Sequence, residues 1–140
     1  MVANQENMLM TFDTCNMKYF EGKLLFPQFD LLHSYRTCGF FQYAGVFDNS
    51  ILDPIISMTD YYDFTEKQFR DIMCHEMVHY YLAYFGMDRK CKHGKEFKSM
   101  AERLNRKYRL HITPTLDILQ YKRREGTPSL SYWFIKHFYL

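Results

Sequence analysis

Apolar residues recur at three- and four-residue spacing from about Gln5 to Phe20, where Met8, Leu9, Phe12, Cys15 and Tyr19 fall along one side of a helix. Gly22 offers a stop. Between Leu24 and Tyr62 the period shortens, and three β-rich runs follow one another: Phe29 to Tyr35, Cys38 to Val46 and Ile55 to Asp60, punctuated by Pro27, Gly39, Gly45 and Pro54. In the first run Phe29, Leu31, His33 and Tyr35 alternate with Asp30, Leu32 and Ser34, as in a strand covered on one face.

The strongest helical signal comes next. Thr65 with Gln68 three residues on forms a capping box, and Gly86 supplies the C-terminal stop. Phe69, Ile72, Met73, Met77, Val78, Leu82 and Phe85 surround most of the intervening helix, which predicts a central, buried element. A further helix is predicted over Lys95 to Tyr108. There Phe97, Met100, Ala101, Leu104 and Tyr108 form a face, and Lys98, Arg103, Arg106 and Lys107 fall largely off it, toward water or a ligand. Thr115 to Tyr121 reads as a strand or a short helix, and Leu130 to Leu140 as an aromatic tail that packs back on the core.

Repeats and linkers rich in Pro, Gly or Ser are absent from this pattern, so one α+β domain is expected over residues 1–140, with a core of about 5–110 and a tail of 111–140. The 140 residues carry 47% apolar and 24% charged side chains, ordinary globular usage that excludes a disordered or collagen-like chain. No basic, apolar leader opens the sequence, and no run approaches the ~18 apolar residues of a membrane span. Cys15, Cys38, Cys74 and Cys91 form no CxxC pair, which argues against a disulfide framework or a zinc ribbon and for a reducing, cytoplasmic setting.

The net charge of +2 conceals an imbalance. Residues 1–86 hold five basic and eleven acidic side chains, whereas residues 87–125 hold twelve basic and five acidic ones. Such a basic stretch suits either a solvated helix face or an anionic partner.

The candidate chemistry lies inside the predicted central helix, where His75, Glu76, Met77, Val78 and His79 make the H-E-x-x-H pattern. Two histidines four residues apart project from one helical face, close enough to reach a single Zn²⁺ at about 2.0–2.1 Å. Glu76 beside them can take the proton from a water activated by the metal as that water attacks a carbonyl. Packing alone is a weaker account. Each of three ionisable groups buried without a partner costs about 1–3 kcal/mol, and a shared metal satisfies them together.

A catalytic site wants a third protein ligand and an open position. His93 is the best candidate, placed past the Gly86 turn at the start of the next helix with Gly94 beside it. Glu96 and Cys91 are alternatives, while His33, His111 and His137 lack helical pairing and read as surface or core histidines. Cys74 reads as a buried small residue.

Several segments match a known family in its own order. Asn16-Met-Lys-Tyr-Phe-Glu-Gly-Lys-Leu24 has the form N-x-x-Y-F-x-G-x-L; Ile56-Ser57 precedes Ile72-Met-Cys-His-Glu-Met-Val-His79; and His93-Gly-Lys-Glu-Phe97 has the form H-G-x-x-F, followed by Met100 and Asn105. Across roughly residues 10–110 the sequence resembles the SprT-like zinc metallopeptidases. The resemblance implies an α+β, minigluzincin-like zincin core with a small mostly antiparallel sheet, in which His75, His79 and His93 bind one catalytic zinc and Glu76 is the catalytic base. It also implies proteolysis of protein or peptide substrates, often proteins held on DNA, a partner that the basic 87–125 stretch would suit. Many relatives append a cysteine-rich zinc ribbon, and this chain has no CxxC at its end.

Two function classes follow from these residues. One is a zinc endopeptidase with Glu76 as proton shuttle and an oxyanion donor drawn from Tyr61, Tyr62, Tyr80 and Tyr81. The other is a non-proteolytic module in which a closed four-ligand zinc site braces two helices and the basic face binds nucleic acid or protein.

Overall fold

A computed structural model of the chain describes residues 1–126. The aromatic run Leu130 to Leu140 and His137 lie outside the described residues.

The first helix, α1 (Gln5–Tyr19), starts at Asn4, whose side chain accepts from the Asn7 N–H at 2.7 Å. Met8, Phe12 and Cys15 are buried along it as the spacing predicts, and Tyr19 packs on Tyr108 with ring centroids 4.9 Å apart. Leu9 is 46% exposed, so the apolar stripe is narrower than the sequence suggests. The helix end is built by the Asn16 segment. The Asn16 carbonyl accepts from Gly22 N–H at 2.8 Å, with Gly22 at φ 67, and the Asn16 side chain brackets both backbone groups of Leu24 at 2.8 and 3.2 Å. Asn16, Gly22 and Leu24 thereby turn the chain out of α1 toward the sheet.

Among the described residues there are seven short strands: β1 (Gln28–Leu32), β2 (Gly39–Gln42), β3 (Gly45–Phe47), β4 (Ser50–Leu52), β5 (Ile55–Thr59) and β6 (Tyr62–Asp63) before the second helix, and β7 (Lys122–Arg123) after the third. The central sheet has the order β1-β5-β2, with β1 parallel and β2 antiparallel to β5; β3 pairs with β4 and β6 with β7, both antiparallel.

Two of the expected strands are shorter than the pattern implies. β1 stops at Leu32, not Tyr35, because the Ser34 hydroxyl accepts from the Arg36 and Thr37 N–H groups and closes a local turn. The run Cys38 to Val46 divides because Asp48 and Asn49, both at positive φ, make a two-residue turn that folds residues 45–52 into their own hairpin.

The buried helix, α2 (Glu66–Tyr84), is capped as predicted. Gln68 N–H donates to Thr65 Oγ1 at 3.1 Å, and Thr65 N–H donates to Gln68 Oε1 at 2.9 Å. Its other end is a Schellman motif: Met87 N–H reaches Leu82 O at 2.8 Å and Gly86 N–H reaches Ala83 O at 3.1 Å, with Gly86 at φ 72. Every residue from Ile72 to Tyr80 is buried, whereas Phe85, expected among the core residues, is 43% exposed.

The third helix, α3 (Lys95–Tyr108), has the predicted limits and buries Phe97, Met100, Ala101 and Leu104, leaving Lys98, Arg103, Arg106 and Lys107 exposed. Packing continues past residue 110. Leu110, Ile112 and Tyr121 are buried, Ile118–Gln120 is a 3₁₀ turn, and Arg124 N–H donates to Tyr61 O at 2.9 Å.

The core lies between the sheet and the helices α1 and α2. Phe12 meets Phe29 of β1 edge-on at 5.7 Å, and Phe41 of β2 stacks on Tyr80 of α2 at 5.1 Å. No helix among the described residues is long and apolar enough to cross a membrane.

Candidate metal centre

The helical spacing of His75 and His79 puts both rings on the same side of α2, and the chain from Gly86 through residue 92 returns His93 to them at the head of α3. His93 Nε2 lies 3.1 Å from His75 Nε2 and 3.0 Å from His79 Nε2, and one donor atom from each residue falls within 4.8 Å of the others. Phe97, in the first turn of α3, forms a wall common to all three. Its ring centroid is 4.7 Å from His75, 4.7 Å from His79 and 4.9 Å from His93.

The tautomer of His75 is set from outside the helix. Its Nδ1 lies 2.8 Å from the Thr113 carbonyl, which can only accept, so the proton sits on Nδ1 and Nε2 keeps a lone pair. Thr113 is held in turn by α3: the Asn105 side chain donates to Ile112 O at 2.9 Å and accepts from Ile112 N–H at 2.8 Å. Asn105 thereby fixes the segment that orients His75. His79 Nδ1 is buried without a hydrogen-bond partner.

Burial pushes His75 down to about 3, with the neighbouring charge of His79 adding to it, and pushes His79 down to about 4, with His93 adding to it. His93 is lowered by burial as well, against the opposing pull of Asp88. These imidazoles are neutral at pH 7, and the Nε2 atoms of at least two present lone pairs to one point. Ideal tetrahedral coordination at about 2.0–2.1 Å places ligand atoms roughly 3.3 Å apart. The observed 3.0 and 3.1 Å are close to that spacing, so the donor set fits a borderline metal ion that accepts imidazole. His75 and His79 are buried while His93 is exposed, so the cluster opens to solvent on the His93 side.

Glu76 is 5% exposed, with Oε2 4.0 Å from His75 Nε2. Burial raises its carboxyl to about 8. A cation on the three imidazoles acts in the opposite direction, favouring the carboxylate.

The SprT-like family model matches residues 9–116, well over half of the chain. The chain belongs to the SprT-like family. No curated protein matches it.

The H-E-x-x-H and H-G-x-x-F segments thus meet at one place, and the other candidate ligands lie outside the three-histidine group. Glu96 is exposed on α3, and Cys91 is half-buried at φ 51. His33 Nδ1 lies 2.9 Å from Asp60 Oδ1 at the end of β1, and His111 is exposed with its backbone N–H on Asp71. Cys74 is buried and all four cysteines are free thiols. Of the tyrosines, Tyr62 donates to Tyr35 O at 2.6 Å and Tyr80 to Leu25 O at 2.9 Å; Tyr61 packs on Tyr35 and Tyr62, and Tyr81 on Phe20 and Phe85.

One contributor was not legible as part of the site: Thr113 acts through a backbone carbonyl, which leaves no trace in side-chain chemistry. Phe97 reads as a core position and as the end of the H-G-x-x-F segment, and its place against all three imidazoles was not legible.

Proposed function

We propose that this protein is a zinc-dependent endopeptidase with a zincin-like, minigluzincin-type core, in which His75, His79 and His93 hold the metal and Glu76 is the general base. The observation that carries the reading is the convergence of three imidazole Nε2 atoms, two from α2 and one from the loop before α3, beside a buried carboxylate, with the cluster open at His93. A closed brace of two helices wants four ligands. Among the described residues the group of side chains able to share a metal has three.

Zinc, when bound, supplies Lewis acidity that polarises a carbonyl and acidifies water to a pKa of roughly 7. Glu76 takes the proton of the attacking water on its carboxylate and passes it to the leaving amine nitrogen, a role that requires the carboxylate at the reacting water and not merely nearby. Thr113, through its carbonyl, keeps His75 in the tautomer that leaves Nε2 free. Phe97 backs all three imidazoles and excludes water from behind them.

A peptide fits the edge of the sheet. β2 pairs only with β5 among the described residues, and Thr59 N–H donates to Cys38 O at 2.9 Å. Alternation along an antiparallel strand then turns the N–H and C=O of Gly39 and Phe41 outward, where an extended substrate can add as a further strand. The exposed basic side chains of α3, together with Arg89, Lys90 and Lys92 ahead of His93, support substrates carried on DNA.

Glu76→Gln decides the mechanism. The variant should retain one zinc per chain, with unchanged unfolding, while cleavage of an unfolded protein substrate falls below detection. Equal cleavage by wild type and variant would sink the assignment of Glu76.

A further inference from the structure

Gly39 opens β2 opposite the middle of α2. A Cβ built on it meets Glu76 Oε2 at 2.7 Å, Cγ at 3.1 Å and Cδ at 3.2 Å. The first distance is shorter than real Cβ atoms make, and the other two are tight.

Backbone conformation gives no reason for a glycine there. The glycines at positive φ are Gly22, Gly86 and Gly126. Gly39 sits in a regular antiparallel pair with Met58, where a β-branched or aromatic residue would favour the strand more. What the position excludes is volume. Glu76 has little freedom to yield it, being 5% exposed in the fully buried stretch of α2 with His75 on one side.

We propose that Gly39 is a positioning residue: its bare Cα is the seat that holds the Glu76 carboxylate. The same residue turns its N–H and C=O to the free edge of β2, so one residue registers both the base and an added peptide strand. The second half of this statement rests on the peptidase reading above; the seat itself does not. Alanine forces either the carboxylate or the strand to move by several tenths of an ångström, and the distance between base and peptide changes with it.

The test uses the full chain with Gly39→Ala, Glu76→Ala and the double variant. In the zinc-loaded protein, Gly39→Ala should lower kcat for a peptide substrate about 10- to 100-fold, with KM within about threefold and zinc content unchanged. In the metal-free protein, Gly39→Ala should lower Tm by about 5–10 °C. Glu76→Ala removes the colliding atoms, so the same glycine substitution made in that background should cost little, a coupling read from the double-mutant cycle.

Equal Tm losses in the two backgrounds overturn the seat, and an unchanged kcat overturns its role in positioning the base. Should the wild type cleave no peptide at all, the peptidase reading fails on its own, and the thermal cycle still decides whether Gly39 seats Glu76.

Discussion

Replacing Phe97 separates the packing of the two helices from the arrangement of the candidate ligands. The ring is fully buried on α3 and lies within 4.7–4.9 Å of each of the three imidazoles, centroid to centroid. Truncation to alanine removes apolar contacts and leaves a cavity, a loss of about 3–5 kcal/mol for a buried phenylalanine. Against a stability of about 5–15 kcal/mol for an ordinary domain, the variant remains mostly folded at low temperature in all but the weakest case.

The cavity opens against the ligands themselves. His93 enters from the loop before α3 and is the exposed member of the three, so the wall behind it is a principal restraint on its ring. Loss of a hydrogen-bonded partner that orients a ligand typically costs about 10- to 100-fold in metal affinity, and removal of a ring packed on all three imidazoles should cost a similar factor. The control is Leu104→Ala, two turns further along the same helix. Leu104 is 4% exposed, and its truncation should cost about 2–5 kcal/mol without touching the site.

Urea unfolding in chelator gives the two stability losses, and competition with a chromophoric chelator gives zinc affinity on the folded proteins. Phe97→Ala should weaken zinc by one to two orders of magnitude, and Leu104→Ala by less than about threefold. Equal affinities for the two variants would refute the view that Phe97 organises the ligands; Phe97→Leu, which keeps much of the volume, should fall between Phe97→Ala and wild type.

Thr65→Ala removes the hydroxyl that accepts from Gln68 N–H and should lower stability by about 1 kcal/mol in urea unfolding, with zinc affinity unchanged; a loss under about 0.3 kcal/mol would mean the capping box contributes nothing. Binding to single- or double-stranded DNA should weaken log-linearly with salt, and charge-neutral replacement of Lys95, Lys98 and Arg106 should flatten the slope by up to about three phosphate contacts; no binding at low salt removes the DNA reading.

The readable parts of this chain are those whose signals lie within a turn or two of one another. Thr65 and Gln68 spell a cap, Gly86 spells the Schellman end, and the apolar spacing of α3 gives its limits, because each depends on neighbours in sequence. The local hairpin of residues 45–52 was as local as any of these, but its Asp48-Asn49 turn lacks the glycine that usually marks such turns. The end of β1 was hidden for a similar reason: Ser34 is an ordinary strand-position polar residue until its hydroxyl turns back on Arg36 and Thr37.

The site divides along the same line. His75, Glu76 and His79 stand out because α2 alone places them together, whereas His93 is preferred to Glu96 or Cys91 by its position at a predicted helix start and by the H-G-x-x-F resemblance. What tunes the site is longer in range: Thr113, 38 residues from His75, fixes a proton by a carbonyl, and Gly39 meets Glu76 through an atom it does not possess. Neither contribution has side-chain chemistry to read. A substitution such as Gly39→Ala or Asn105→Ala would leave every H-E-x-x-H and H-G-x-x-F residue in place, yet the first would crowd the base and the second would release the segment that orients a ligand. Intact motif residues therefore establish which groups are present, and only the contacts of β2 and the 110–113 segment establish whether those groups are held where the chemistry needs them.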